Sequence, residues 1–205
     1  MEYKTEQELF WASSFGNDYI LRNQDLKVLA SSMSLFTKIL NGTSKVSSFL
    51  ELGCNIGINL KALKHLNPEA ELSGVEINSE AVEELKKWGG AKVYHNSILE
   101  YKVDYKRDFV FTRGVLIHIN PDYLNLVYEL MYESSNKYIC IAEYYNPSPV
   151  EIDYRGNSEK LFKRDFAGEM MNKYPDLNLV NYGFVYHKDN NFPQDDITWF
   201  LLSKN

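Results

Sequence analysis

The strongest constraint on the fold is an alternation of short apolar runs with amphipathic segments through residues 46–143. The run VSSFLEL is followed by GINLKALKHL, whose apolar residues approximate one helical stripe. ELSGVEI and SEAVEELKKW repeat this order, and Ser79 is placed to cap the second helix. Repeated units of this kind predict a parallel sheet with helices on both faces, an α/β doubly wound fold of the Rossmann-like type.

The end of the chain has a different pattern. The alternation continues through AKVYHN, DFVFTRGV, the helix candidate PDYLNLVYELMYES with Pro121 in its first turn, and KYICIAEYY. After SEKLFKRDFAGEMMNKY, which predicts a further helix, only KDNNFPQD separates the β-rich stretches LNLVNYGFVYH and DITWFLLSK. These stretches predict a C-terminal antiparallel hairpin on a mostly parallel sheet. We divide the chain into an N-terminal helical segment or lid, residues 1–45, and one compact domain, residues 46–205.

Composition and charge narrow the partners. The chain has 205 residues, 44% of them hydrophobic, and a net charge of −6 without a long Lys/Arg block, so we expect no nucleic-acid partner. No window approaches the roughly 20 apolar residues of a membrane span, and we expect a cytoplasmic protein, monomeric or homodimeric. Cys54 and Cys140 lie in apolar segments and form no C-x-x-C pair, which indicates small buried residues and no metal site.

The loop after the first strand, in FLELGCNIGINL, carries the clearest functional signal. Gly53 and Gly57 allow a backbone to approach a ligand closely. Glu76 ends the next strand, where a carboxylate accepts hydrogen bonds from a ribose diol. A dinucleotide site requires G-x-G-x-x-G, whereas this loop has G-x-N-x-G with Asn55 at its centre. Glu51 would repel a diphosphate and suits the ammonium and sulfonium groups of S-adenosylmethionine.

These motifs resemble those of the class I S-adenosylmethionine-dependent methyltransferases, whose first motif is E/D-x-G-x-G-x-G. ELGCNIG matches that motif except at Asn55, GVEIN matches the second motif, and YHNSI stands where the family usually has an adenine-contacting Asp. The resemblance implies S-adenosylmethionine as methyl donor, S-adenosylhomocysteine as product and no metal. The donor-site candidates are Glu51, Gly53, Asn55, Gly57, Glu76, Asn96, Ser97 and Arg113.

A closer likeness is to the methylases associated with pseudaminic acid biosynthesis. The similar blocks are FWASSFGNDYILRN, LELGCNIGINLKAL, TRGVLIHINP, EYYNPSPVEIDYRG and DDITWFLL. This likeness implies O-methylation of pseudaminic acid, a precursor or a derivative. Three alternatives stay open: an N-methyltransferase for a small molecule or amino sugar, a non-catalytic nucleoside-binding module, and a dehydrogenase.

Two residues are candidates for the general base that a hydroxyl acceptor requires. His118 directly follows the fourth strand, at the rim where an acceptor would lie. Its alternative role is that of a histidine at a helix start bonded to backbone. Glu143 ends the apolar strand of KYICIAE, and burying it requires a partner. That partner is a ligand, a hydroxyl or an arginine, with Arg113 and Arg155 as candidates for a structural pair.

The N-terminal segment and the segment after the fifth strand contain the remaining candidates. Tyr19 and Arg22 in FWASSFGNDYILRN either close over the donor or belong to an amphipathic helix that packs on the core. EYYNPSPVEIDYRG offers hydroxyl, amide and guanidinium groups for a polyhydroxylated anionic acceptor; the alternative is a crossover with surface tyrosines. The acceptor-site candidates are Tyr144, Tyr145, Asn146, Tyr154, Arg155 and His187.

Overall fold

The computed structural model of the chain describes residues 2–20 and 25–205. Helices and strands alternate through most of its length. The helices are α1 (Glu6–Ala12), α2 (Ser14–Ile20), α3 (Leu26–Leu40), α4 (Ile58–Leu66), α5 (Ser79–Trp88), α6 (Leu124–Ser134) and α7 (Phe166–Lys173). The strands are β1 (Ser48–Leu52), β2 (Glu71–Glu76), β3 (Lys92–His95), β4 (Arg107–Arg113), β5 (Ser135–Glu143), β6 (Val150–Glu151), β7 (Phe162–Lys163), β8 (Leu177–Val185) and β9 (Ile197–Lys204).

Seven strands form one central sheet in the order β3-β2-β1-β4-β5-β9-β8. The five strands from β3 to β5 in that order pair in parallel, whereas β9 is antiparallel to β5 and β8 is antiparallel to β9. The predicted Rossmann-like sheet with a C-terminal antiparallel hairpin is therefore confirmed. The direction of winding reverses between β1 and β4, which is where such sheets bind ligands beyond the carboxyl ends of their strands.

Neighbouring residues of each central strand pack into separate cores on the two faces of the sheet. Leu50 of β1 belongs to the core that contains α6 and α7, whereas Phe49 belongs to the core that contains α3 and α4. Residues on both faces of the central strands are fully buried, as the apolar runs predict for a covered parallel sheet. Cys54 and Cys140 are buried and free, in agreement with the sequence-based expectation.

One predicted helix start is shifted by one residue, and a second is confirmed. Asn78, not Ser79, caps α5, because its side-chain oxygen accepts from the backbone N–H of Glu80 at 3.0 Å and of Ala81 at 3.1 Å. The cap predicted at Ser79 was wrong by one residue. Pro121 opens a short 3-10 turn that leads directly into α6, so its first-turn position is confirmed.

The helix predicted from Ser158 onward begins later, at Phe166, and this prediction was wrong for its first half. Strand β7 pairs instead with β6 in a small antiparallel ladder. The Asp165 side chain then accepts from the backbone N–H of Gly168 at 2.9 Å and caps α7. Strand pairing between β6 and β7 therefore competes with the helical pattern of this segment, and the helix forms only after Asp165.

The N-terminal helices lie over the carboxyl ends of β2 and β3. Thr5 and Glu8 form a capping box that starts α1. Asn78, two residues beyond β2, donates from its side chain to the carbonyl oxygen of Trp11 at 3.1 Å and to Asn17 at 2.7 Å. These contacts fix α1 and α2 above the sheet edge. No helix within the described ranges is long and apolar enough to cross a membrane.

Candidate active site

A cavity of about 510 Å³ opens at the carboxyl ends of the central strands. Its volume falls within the roughly 300–1,000 Å³ of small-molecule sites. Its floor includes residues within two positions of the carboxyl ends of β1, β2, β3 and β4. Helices α1 and α2 and the segment before β9 form its walls. The sheet therefore brings several of the predicted site residues together in one place.

The loop between β1 and α4 is a tight bend with three residues at positive φ. Gly53 has φ 76°, Asn55 has φ 46° and Gly57 has φ 73°. A Cβ atom at Gly57 would lie 2.3 Å from Leu85 Cδ1, and one at Gly53 would lie 2.7 Å from Val115 Cγ2. Asparagine is among the non-glycine residues that best tolerate this backbone region. Asn55 is therefore compatible with the positive φ that this bend requires.

Glu76 holds the loop and also lines the cavity. Its Oε2 accepts from the backbone N–H of Asn55 at 2.7 Å, and its Oε1 accepts from the backbone N–H of Asn78 at 2.8 Å. Burial raises the pKa of Glu76, and the backbone hydrogen bonds oppose that change. A carboxylate oxygen has two lone pairs, so each oxygen can accept a further bond. The arrangement suits a pair of neighbouring hydroxyls.

Glu51 places a buried carboxylate on the same cavity wall. Its Oε1 accepts from Asn59 Nδ2 at 2.6 Å, whereas its Oε2 has no hydrogen-bond partner within residues 2–20 and 25–205. Burial raises the pKa of Glu51 to about 8; the Asn59 bond and the charge of Arg113 oppose this effect. Buried polar atoms without partners are rare, and a ligand is one explanation for them. Oε2 therefore suits a cationic N–H donor.

Arg113 provides the complementary positive charge. Its Nη1 donates to Ser32 Oγ at 2.7 Å and to Asn59 Oδ1 at 2.6 Å, and its Nη2 donates to Gln194 Oε1 at 2.8 Å. Burial lowers the pKa of Arg113, although a guanidinium remains charged in proteins. Asn59 therefore bridges the arginine to Glu51. A carboxyl and a guanidinium on one wall match the ammonium and carboxylate of a free α-amino acid, because a bound ammonium lowers the pKa of a neighbouring carboxyl and favours its ionised form.

His118 lines the cavity between two aromatic rings. The ring centroids of Trp11 and Tyr154 lie 4.7 and 4.8 Å from that of the imidazole. Nδ1 lies 2.6 Å from the carbonyl oxygen of Lys160 and must donate to it, so Nε2 carries the lone pair. Burial lowers the pKa of His118 to about 4, and the Lys160 bond opposes this effect. The imidazole is therefore neutral at pH 7.

Glu143 is held beneath the loop that follows β4. Both of its oxygens accept from the backbone N–H of Val115, at 3.1 and 3.0 Å, and Oε2 lies 3.4 Å from that of Ile117. Burial raises the pKa of Glu143 to about 7. Among the described residues, no ion pair joins it to Arg113 or Arg155. The backbone of the loop that carries His118 is its partner.

Three acceptor-site candidates lie at the cavity mouth. Arg155 and His187 line it, and the ring of Tyr154 packs on His118. The His187 Nδ1 lies 2.9 Å from both carboxylate oxygens of Asp196. The mouth therefore combines a guanidinium, an imidazole and a carboxylate, all of them exposed.

The other three acceptor-site candidates lie farther out. The pKa of Tyr144 is raised beyond its usual range by burial and then by the charge of Asp195, which lines the cavity. The Tyr145 ring packs 5.7 Å from that of Phe200, on the surface of the sheet. The Asn146 side chain donates to a backbone carbonyl in its own loop at 2.6 Å. Tyr144 is near the site, whereas Tyr145 packs on the sheet and Asn146 bonds within its own loop.

The remaining donor-site candidates differ in placement. Tyr19 lines the cavity, and its ring centroid lies 5.3 Å from that of Trp11. Ser97 also lines it, whereas the side chain of Asn96 lies outside the lining. Gly57 stands behind the loop, at the start of α4. Arg22 lies outside the described residues.

Several polar cavity residues had no assignment from sequence: Gln7, Glu8, Asn59 and Gln194. The sequence contains an indication for Asn59, because its polar amide lies within the apolar stripe of α4, and the amide is buried in the structure. Glu8 belongs to the T-x-x-E pattern of a capping box, which predicts a helix start but not a place in a cavity. Their roles depend on contacts between distant parts of the chain.

No protein-family model and no curated protein matches the chain. Solved structures do. The magnesium protoporphyrin IX methyltransferase of Synechocystis PCC 6803, crystallised with S-adenosylmethionine, superposes with a TM-score of 0.70 at 11% identity, and each chain is covered over 100% of its length.

Two other methyltransferases are similar in fold. The 1,6-didemethyltoxoflavin-N1-methyltransferase of Burkholderia thailandensis, with bound S-adenosylhomocysteine, has a TM-score of 0.71 at 11% identity, covering 97% of this chain and 87% of the other. The plantazolicin methyltransferase BpumL, also with S-adenosylhomocysteine, has a TM-score of 0.66 at 15% identity, with 98% and 97% covered. At such identities the likeness shows the fold alone, a Rossmann-like fold that the chain shares with these methyltransferases.

Proposed function

We propose that this chain is an S-adenosylmethionine-dependent methyltransferase that acts on a hydroxyl of a small, anionic, sugar-like acceptor. The observation that carries the proposal is the buried Oε2 of Glu51, a residue that lines the cavity; this oxygen has no hydrogen-bond partner among the described residues. An ammonium group would satisfy it. A diphosphate has no proton to donate to this oxygen, and it would meet repulsion if Glu51 ionised, which argues against a dinucleotide.

The donor-binding residues follow from the cavity wall. Glu51 would accept from the ammonium of the methionine part, and Arg113 would face its carboxylate. Glu76 would accept from the ribose hydroxyls. The backbone at Gly53 would contact the ligand directly, because glycine has no side chain that would keep the ligand away. This set is the donor site that we propose.

We assign the base role to His118 and a positioning role to Glu143. S-adenosylmethionine, when bound, supplies an electrophilic methyl group, and its carbon–sulfur bond breaks as the new oxygen–carbon bond forms. The hydroxyl proton becomes strongly acidic during that step, so a neutral imidazole with a pKa near 4 still accepts it at Nε2. Glu143 keeps the loop of His118 in place through its backbone bonds.

The mouth supports a sugar-acid acceptor. Arg155 can pair with a carboxylate, and Asp195 and Tyr144 can bond hydroxyls or amides. Together with the sequence likeness, this chemistry favours pseudaminic acid, a precursor or a derivative. Trp11 and Tyr154 would help to exclude water from the reacting groups.

The donor assignment is tested by calorimetry on folded protein that has been freed of carried-over ligand. We expect heat of binding with S-adenosylmethionine and with S-adenosylhomocysteine, and none with NAD. Absence of heat with both adenosyl compounds would contradict the proposal. Binding of NAD alone would favour a dehydrogenase.

The acceptor is tested by mass spectrometry for the gain of one methyl group. The panel contains nonulosonic acids, free and nucleotide-linked, their precursors, and simple amines. We expect methylation of a hydroxyl in the first groups. Methylation of amines alone would show that the acceptor group is an amine and not a hydroxyl. Donor binding without methylation of any compound would indicate a non-catalytic binding module.

A further inference from the structure

The order of the strands sets the order in which the parts of the donor lie along the cavity. Glu51 and Arg113, on β1 and β4, suit the amino-acid part, and Glu76 on β2 suits the ribose. Because β2 lies between β1 and β3, a base attached to that ribose lies on the β3 side. This placement rests on the proposed function, since it takes S-adenosylmethionine as the ligand.

The β3 side of the cavity has apolar walls and a polar rim. Its apolar side chains are Ile77, Ile98 and Leu99. Such walls suit the faces of an aromatic base. The acid expected after β3 is absent from this sequence: Asn96 lies outside the lining, and the Ser97 hydroxyl donates to the Glu8 carboxylate. Ser97 Oγ also accepts from a backbone N–H at 2.9 Å. The loop after β3 therefore has little left with which to bind the edge of a base.

Helix α1 presents a buried amide at this rim. Gln7 is 6% exposed and lines the cavity, next to the residue that bonds Ser97. Its Nε2 donates to the carbonyl oxygen of Glu159 at 2.9 Å. Because that carbonyl only accepts, the orientation of the amide is fixed. Its Oε1 has no hydrogen-bond partner in the described parts of the chain. A ligand N–H would remove the cost of leaving this oxygen unbonded.

We propose that Gln7 Oε1 accepts a hydrogen bond from the exocyclic amine of the donor's adenine. Helix α1 then provides the recognition that the sequence alone assigned to Asn96 and Ser97. A carbonyl at the same ring position has no proton to donate and faces Oε1 with its own lone pairs. The site should therefore prefer adenine to hypoxanthine.

The test is calorimetry with S-adenosylhomocysteine and S-inosylhomocysteine, which carry an amine and an oxygen at that ring position. The proteins are the wild type, Gln7→Leu, and Leu9→Ala as a control on the same helix, where Leu9 is 55% exposed. We expect the wild type and Leu9→Ala to prefer the adenosyl compound by about tenfold or more. In Gln7→Leu the preference should fall below about threefold.

The ratio of the affinities for the adenosyl and inosyl compounds distinguishes a role of Gln7 in base recognition from a purely structural role. Loss of the Gln7 bond to Glu159 weakens both ligands alike and leaves the ratio unchanged. Equal binding of both compounds by the wild type, or an unchanged preference in folded Gln7→Leu, would overturn the inference while the donor site stands. If folded wild type binds neither compound, the proposed function itself fails.

Discussion

The Nδ1 atom of His118 lies 2.6 Å from the carbonyl oxygen of Lys160, so the neighbouring segment fixes which imidazole nitrogen is free to accept a proton. Lys160 lies 42 residues further along the chain. The contact joins the loop after β4 to the segment that contains Arg155, and thus joins the proposed base to the acceptor side.

Replacement of this histidine tests its role directly. We expect His118→Ala to lower kcat by more than about 10²-fold with a hydroxyl acceptor, because the proton then has no acceptor near the reacting oxygen. Donor affinity by calorimetry should change little. His65→Ala, at an exposed position on α4, is the matched control and should keep full activity. A rate within about threefold of wild type would exclude His118 as the base.

The buried imidazole should also make stability depend on pH. The pKa of His118 is about 4 in the folded protein, below its usual 6.5, so the unfolded chain binds a proton more readily. Its contribution is therefore fully present above pH 6.5 and is lost as the pH falls towards 4. The effect is on the order of 3 kcal/mol at most.

The measurement is urea unfolding of wild type and His118→Gln at pH 7 and pH 5. The wild type should lose more stability than the variant between these values, because the variant has no imidazole at this position. Parallel losses would show that burial does not hold His118 neutral.

Glu51 should make the ligand-free protein less stable at alkaline pH. Its pKa is raised to about 8 in the folded protein, so its stabilising contribution is complete below about pH 4.5 and is lost as the pH rises through 8. Glu51→Gln removes the buried charge and keeps an oxygen for Asn59. We expect the variant to be more stable than wild type at pH 9 by roughly 1–3 kcal/mol, with a smaller difference at pH 6.

The same variant should bind the donor more weakly. A neutral amide pairs less well with an ammonium, so we expect at least a tenfold loss of S-adenosylmethionine affinity. Unfolding in denaturant and calorimetry measure the two effects separately. A variant that loses stability at pH 9 and keeps its affinity would show that Glu51 is an ordinary structural carboxylate.

The fold was predictable because its signals are local. Apolar runs identify β1 and β4, and the glycines at 53 and 57 identify the bend, since both patterns arise from a few consecutive residues. Asn78 and Ser79 show the limit of local signals, because either residue can cap α5. The choice follows from the bonds that Asn78 makes to α1 and α2, which no local pattern contains.

The cavity was predictable only in part. The residues proposed to bind the donor lie at strand ends, which sequence motifs locate. The residues of α1 that cover the cavity are placed by contacts with distant parts of the chain. Ser97 contacts Glu8 across 89 positions, and Gln7 contacts Glu159 across 152. Neither position has a distinctive neighbourhood in the sequence. The start of α7 has the same explanation, because Phe162 pairs with a strand more than ten residues earlier.

The tight bend predicts a difference between two glycines at similar φ. Gly57 has φ 73° and no room for a Cβ atom beside Leu85, whereas Gly156 has φ 81° and open space around it. Gly156→Ala should therefore cost only the backbone strain, about 1 kcal/mol. Gly57→Ala should cost more, roughly 2–4 kcal/mol, and should also weaken donor binding. Equal urea midpoints for the two variants would contradict the geometry of the loop.

Arg107 provides a prediction at the opposite end of the sheet from the cavity. It begins β4, and its side chain is fully buried. The guanidinium donates to Asp104 Oδ1 at 2.6 Å and to Tyr94 Oη at 2.7 Å, and it stacks 3.6 Å from the centroid of the Tyr105 ring. Burial alone would lower the pKa of Arg107, but its bond to Asp104 and its interactions with Tyr101 and Tyr94 raise it overall.

Removing this side chain leaves a large hole and several unpaired groups. We expect Arg107→Ala to lower the free energy of unfolding by about 3–5 kcal/mol. Arg107→Met keeps most of the volume and should cost less. Lys106→Ala, at the exposed neighbouring position, should fall within about 0.5 kcal/mol of wild type in the same urea titration. Because Arg107 is remote from the cavity, folded Arg107→Met should bind S-adenosylhomocysteine as wild type does; weakened binding would show that the two ends of the sheet are coupled.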